Sequence, residues 1–172
     1  MNHQSYAQRG MTLLEILVVL VITATLTSLV VLSFSNSSGD QLQTDARRFT
    51  TLLEQHCQDA MLLGQIRGLS LDERGYQFWY RANQQWLDAG NGQRLYRPRE
   101  WAGDWDLELS INGLPESLSR NLNHTEQPPQ LVCMPDGLLP LFVLRISSPQ
   151  RKIPGLRLIS AGGKNIVFEP AL

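Results

Sequence analysis

The hydrophobic pattern divides the chain into three stretches. From Ile16 to Leu32 it is apolar almost without a break, and no charge occurs between Glu15 and Asp40. A helix crossing a bilayer core needs ~20 mostly apolar residues, and residues 11–32 supply that length. Phe34 to Asp40 is a polar interruption, where Gly39 weakens a helix and Ser38 or Asp40 can cap a restart. From Gln41 a helical period returns: Leu42, Ala46, Phe49, Leu53, Cys57, Ala60 and Gly64 recur at steps of three and four. Asp45, Arg48, Gln55 and Asp59 are assigned to the opposite, polar face. This predicts an amphipathic helix with one side on a domain and a stop at Gly64. Continuous from Met11, it would hold about 54 residues and reach about 80 Å.

Past Gly64 the period changes to that of strands. Ile66–Leu71, a turn over Asp72–Gly75 and Tyr76–Tyr80 predict a hairpin, with Gln85–Leu87 a third short strand. Leu95–Pro98 leads to a loop around Trp101, and Asp106–Ile111 alternates with Leu107, Leu109 and Ile111 on one face. Residues 116–129 are polar, end in two prolines and predict a surface loop. Gln130–Cys133, a turn at Met134–Gly137 and Leu141–Ser147 predict a strand pair. Leu156–Ser160, Ala161–Gly163 and Asn165–Glu169 predict a last hairpin. One long helix followed by short antiparallel strands is the α+β class.

Composition adds limits. The 172 residues carry 15 basic and 16 acidic side chains, a net charge of −1. The basic residues are scattered, with doublets only at Arg47-Arg48 and Arg151-Lys152, so no nucleic-acid partner is expected. His3, His56 and His124 are far apart, and a His56–Cys57 dyad fails because neighbours on a helix point in different directions. Ala161-Gly-Gly-Lys164 lacks phosphate-loop spacing. Asp104, Asp106 and Glu108 would share one strand face; a calcium site is one reading, a solvated face the other. Trp79, Trp86, Trp101 and Trp105 read as core, with an exposed member as a partner contact. No catalytic group, cofactor or metal is expected. Cys57 and Cys133 form no metal or redox motif; outside the cytoplasm they are a candidate disulfide, and two buried thiols are the alternative.

Residues 1–10 are short and polar, carry Arg9 and end in Gly10. No small-residue cleavage site follows the apolar run, whereas Gly10 precedes it, so a cut at Gly10 leaves the helix on the product. Arg9 before the run predicts a cytoplasmic amino terminus and an external domain. Glu15 is the oddity, because a carboxylate in lipid is tolerated only protonated or paired.

Gly10-Met11-Thr12-Leu13-Leu14-Glu15 resembles the type IV prepilin motif, with Met11 where that superfamily more often has Phe. The resemblance implies that Gly10 is the last leader residue, cut by a prepilin peptidase and N-methyltransferase, and that Met11 becomes the N-methylated terminus. It implies that Glu15 pairs with the terminal ammonium of a neighbouring subunit and sets register. The divisions are then a leader 1–10, a transmembrane part 11–32, an amphipathic periplasmic part 33–64 and a β-rich periplasmic domain 65–172. The expected architecture is a pilin-like fold, the long helix packed on small antiparallel sheets. Ala46-Arg-Arg-Phe49, Gly68-Leu-Ser-Leu71, Gly75-Tyr-Gln-Phe78 and Pro135-Asp-Gly-Leu-Leu-Pro-Leu-Phe-Val-Leu144 resemble the minor pseudopilin H family of type II secretion systems. That resemblance implies a non-enzymatic subunit at or near the tip of a periplasmic pseudopilus. Its partners would be other minor pseudopilins, the major pseudopilin and the bacterial inner membrane, which it crosses once. A minor pilin of a type IV pilus, acting in assembly initiation, adhesion or DNA uptake, is the alternative.

Overall fold

The computed structural model describes residues 13–35, 37–118, 128–149, 153–163 and 165–171, without the side chains of residues 25–38. The leader, Gly10, Met11, His3, His124, Lys152, Lys164 and Asn36 lie outside the described residues. The chain divides into two compact units, one ending at Ser37 and the other spanning Ser38–Leu172.

The first unit contributes helix α1, Leu13–Ser35. From Leu13 to Ile22 its large apolar side chains are all exposed. Among its described side chains only Glu15 and Thr23 are polar, too few to make a polar face. Thr23 turns its hydroxyl back onto the carbonyls of Val19 and Leu20, at 2.9 and 3.0 Å. Among the described residues, no helix is long and apolar enough to cross a membrane.

The second unit begins one residue into α2, Ser37–Leu63. Leu42, Ala46, Phe49, Leu53, Cys57 and Ala60 are all buried, the stripe that the period of the sequence marks. Gly64 takes φ +61°, and Gln65 N–H reaches back to the Ala60 carbonyl at 3.0 Å. That is a Schellman cap, which satisfies a carbonyl left open at the helix end.

The strands form two antiparallel sheets. In the first, β1 (Arg67–Leu71) lies between β2 (Gly75–Ala82) and β7 (Leu131–Cys133); β3 (Gln85–Asp88) and β4 (Arg99–Glu100) both pair with β2. In the second, the order is β10 (Ile166–Ala171), β9 (Gly155–Ala161), β8 (Leu141–Ser147), β5 (Asp106–Ile111), β6 (Leu114–Glu116). Two-residue turns close two hairpins with positive φ at both positions: Asn83-Gln84 joins β2 to β3, and Asn112-Gly113 joins β5 to β6. Such turns match the right-handed twist of the strands they connect. One core draws on both sheets and α2, from Leu42, Phe49 and Leu53 to Phe78, Leu131, Leu144 and Leu158.

Three expectations need correction. Gln130–Cys133 and Leu141–Ser147 are not partners: β7 pairs with β1, and β8 pairs with β5 and β9. The turn at Met134–Gly137 therefore carries the chain from one sheet to the other. Asp45 is buried at 4 % exposure instead of lying on a solvent face. The polar stretch 116–129 is not all surface loop, for Glu116 ends β6 and Pro129 is buried against β1 near Gly68.

Candidate functional site

Glu15 stands near the start of the described part of α1. Its helical neighbours are the exposed apolar side chains Leu13, Leu14 and Ile16 to Ile22. The residues that would complete an assembly site with it, Gly10 and Met11, lie outside the described residues.

In the second unit, α2 is joined to the sheets by polar contacts set into the apolar stripe. Asp45 Oδ2 accepts two hydrogen bonds at 2.8 Å, from Ala102 N–H and Trp105 Nε1–H. Gln41 Nε2 donates to the Ala102 carbonyl at 2.7 Å. Together they hold the segment after β4 along the first turns of α2. Glu54 accepts from Ile166 N–H at 3.0 Å and ties the same helix to the edge of the second sheet.

Below them lies a buried chain of groups. His56 is fully buried, and its Nε2 donates to the Trp79 carbonyl at 2.9 Å. That leaves Nδ1 as the acceptor for Arg67 Nη1 at 3.3 Å. Arg67, itself buried, sits 3.7 Å from Asp59 and over the ring of Tyr96. The Tyr96 hydroxyl donates to the same Asp59 carboxylate at 2.5 Å. Burial pulls the His56 pKa down to about 4, and the Arg67 charge pushes the same way. Burial and then the Asp59 contact raise the Tyr96 pKa. The Arg67 cation is thus answered by one carboxylate, a neutral imidazole and an aromatic face. Cys57 and Cys133 are joined in a disulfide, Cα to Cα 5.2 Å, which bonds α2 to β7.

Both ring nitrogens of His56 are engaged and both sulfurs are bonded to each other. Asp104, Asp106 and Glu108 are exposed, and Glu108 pairs with Arg145 at 3.7 Å. A groove of about 940 Å³ runs beside them, lined also by Glu73 and Arg145. No group of three or more His, Cys, Asp or Glu among the described residues is placed to hold a metal. Trp79, Trp101 and Trp105 are core, and Trp86 is half-buried.

Residues 6–31 match the prokaryotic N-terminal methylation motif. The type II secretion system protein H of Pseudomonas aeruginosa is 32 % identical over 164 residues, which cover 91 % of this chain and 92 % of the relative. The chain belongs to the type II secretion system protein H family. The family's Aeromonas hydrophila member is 28 % identical over 165 residues, covering 91 % of this chain and 90 % of its own. The crystal structure of the minor pseudopilin EpsH from the type II secretion system of Vibrio cholerae is similar with a TM-score of 0.63 at 20 % identity. That match covers 79 % of this chain and 99 % of the other. The solution structure of Escherichia coli GspH gives 0.61 at 20 % identity, covering 78 % and 91 %. These likenesses show that the α+β fold, a helix with antiparallel sheets, is the fold of the family.

Sequence reading missed the Asp45 anchor and the Asp59–Arg67–His56 chain. For Asp45 a signal was present: it lies three residues after Leu42 and four before Phe49, squarely on the apolar stripe. For Arg67, Asp59 and Tyr96 no local signal exists, since they come from α2, β1 and a 3-10 turn at Arg94–Tyr96.

Proposed function

We propose that this chain is a minor pseudopilin of a type II secretion system, a structural subunit at or near the tip of the periplasmic pseudopilus. In this reading the role is mechanical, and the filament supports export of folded proteins across the outer membrane. Prepilin peptidase removes residues 1–10 on the cytoplasmic side, and Met11 becomes the N-methylated terminus. Residues 11–32 cross the inner membrane until assembly, residues 33–64 continue into the periplasm, and residues 65–172 form the periplasmic domain. Other minor pseudopilins and the major pseudopilin then replace lipid around α1. The observation that carries the reading is the methylation motif at residues 6–31 in a chain aligned over 91 % of its length with a protein H family member. An apolar helix without a polar face fits both environments, lipid before assembly and helices after it.

Glu15 is the registration charge in this reading. In a low-dielectric filament core, a carboxylate and a terminal ammonium attract strongly, and fixing register is the best-attested use of such a pair. The Cys57–Cys133 bond forms after the domain enters the oxidising periplasm. Mass spectrometry of the mature chain tests the processing step: an N-methylated terminus at Met11 is expected, and an intact Met1 sinks the reading. Glu15→Val should remain in the membrane yet fail to enter pseudopili and fail to support export. Normal secretion by that variant removes the pairing role.

A further inference from the structure

Arg67 is 3 % exposed, and its guanidinium is incompletely answered. Its Nη1 reaches His56 Nδ1 at 3.3 Å and stands 3.7 Å from Asp59 Oδ2, too far for a hydrogen bond. That carboxylate is already engaged: Oδ2 accepts from the Tyr96 hydroxyl, and Oδ1 accepts from Gln55 Nε2 at 3.2 Å. The Nε of Arg67 is buried without a partner. A guanidinium carries five N–H donors and no acceptor. A buried one with a donor unmet is a cost to the fold unless an electronegative group meets it.

Arg67 also lines a cavity of about 260 Å³ beside the last residue of α2. Among the described residues lining it, Arg67 is the only charged one. Gln65, Asn91 and Gln93 contribute amides, and Leu63, Tyr80 and Ala89 contribute apolar surface. The walls are set in place by backbone contacts. Gln65 is tied to α2 through the Ala60 carbonyl, and Ala89 N–H donates to the Phe78 carbonyl at 2.9 Å. Gly90 N–H donates to Asp88 Oδ1 at 2.7 Å, and Gln93 N–H to the Gly90 carbonyl at 3.3 Å. A site shaped before its ligand arrives loses less to ordering on binding.

We propose that this cavity binds a carboxylate on a short apolar stem, held by Arg67 and the rim amides. The charge of Arg67 selects an anion, and a carboxylate takes charge-assisted hydrogen bonds about twice as strong as neutral ones. The side-chain amides of Gln65, Asn91 and Gln93 supply further N–H donors. Leu63, Tyr80 and Ala89 cover the stem. The cavity is smaller than the ~300–1,000 Å³ of sites for drug-sized ligands, so the ligand is a small free acid or an acidic side chain. Both present the same chemistry, and the test separates them.

The test adds propionate to the mature full-length chain in zwitterionic nanodiscs and follows binding by saturation-transfer NMR, with methylammonium as the cationic control. Propionate should bind in the millimolar range, and methylammonium should not bind. Gln93 is exposed at the rim, so Gln93→Glu brings a carboxylate of the chain's own to Arg67. That variant should bind propionate about tenfold more weakly and melt at a higher temperature than the native chain. Arg67→Gln should abolish binding; if it does not fold, Gln93→Glu still decides. No propionate binding by the native chain, or equal binding by Gln93→Glu, overturns the proposal. Export separates the two sources, and this arm alone rests on the pseudopilin reading. If a free acid is the ligand, Gln93→Glu carries its substitute and supports export. If a neighbouring subunit supplies an acidic side chain, Gln93→Glu blocks that contact and export falls. Export that persists after deletion of the gene removes the pseudopilin reading, while propionate binding still decides the cavity.

Discussion

His56 gives the domain a pH dependence of definite sign. Burial lowers its pKa from 6.5 to about 4, so the folded state holds the neutral ring. The stability this contributes is full above pH 6.5, where both states are neutral, and falls as pH drops toward 4, because the unfolded chain takes up the proton first. By pH 5 the loss should be about 2 kcal/mol. His56→Gln can donate to the Trp79 carbonyl and accept from Arg67 without titrating. Urea midpoints at pH 7 and pH 5 should therefore converge in the variant and differ in the native chain. Asp45→Ala leaves Ala102 N–H and Trp105 Nε1–H without their acceptor. It should lower unfolding free energy by about 2–4 kcal/mol in the same assay. Polarity alone misplaces both roles: Asp45 looks like a solvent-face residue until its angle on the helix is counted, and His56 looks like a neighbour of Cys57.

Among the elements, α2 is held at both its face and its end. The Cys57–Cys133 bond spans 76 residues of chain. Closing a loop of that size in the unfolded state should stabilise the fold by about 4 kcal/mol in the chain-entropy picture. Cys57→Ala/Cys133→Ala should lower the melting temperature accordingly, and a reductant should have no further effect on that variant. Two glycines separate backbone from packing costs. At Gly64, with φ +61° and open space around a Cβ, alanine should cost about 1 kcal/mol. At Gly75 a Cβ would fall onto the backbone of Arg99 across the β2–β4 pair. Gly75→Ala should therefore cost about 1–3 kcal/mol and detach β4, read as lost amide protection at Arg99 and Glu100. The hairpins were legible because each has its own turn between alternating runs. The β7–β8 relation was not, because a turn motif does not say whether the strand after it returns to the same sheet.

At the scale of the whole molecule, the core from Leu42 to Ile166 lies within Ser38–Leu172. A chain starting at Ser38 should therefore fold alone and melt in one cooperative step, with the Cys57–Cys133 bond intact. A broad transition or poor amide dispersion would contradict that. Removing α1 should abolish assembly while leaving this fold in place, since the core described lies within the second unit.

The sequence alone determined the apolar segment with Glu15 at its head, the amphipathic stripe of α2 and the succession of short strands. Those features are periodic or local, so neighbouring residues carry them. Tertiary structure decided the pairing of β7 with β1, the burial of Asp45 and the company of Arg67. Each depends on which element packs on which, and the free energy of those contacts is shared between residues far apart in the chain, where no local pattern records it.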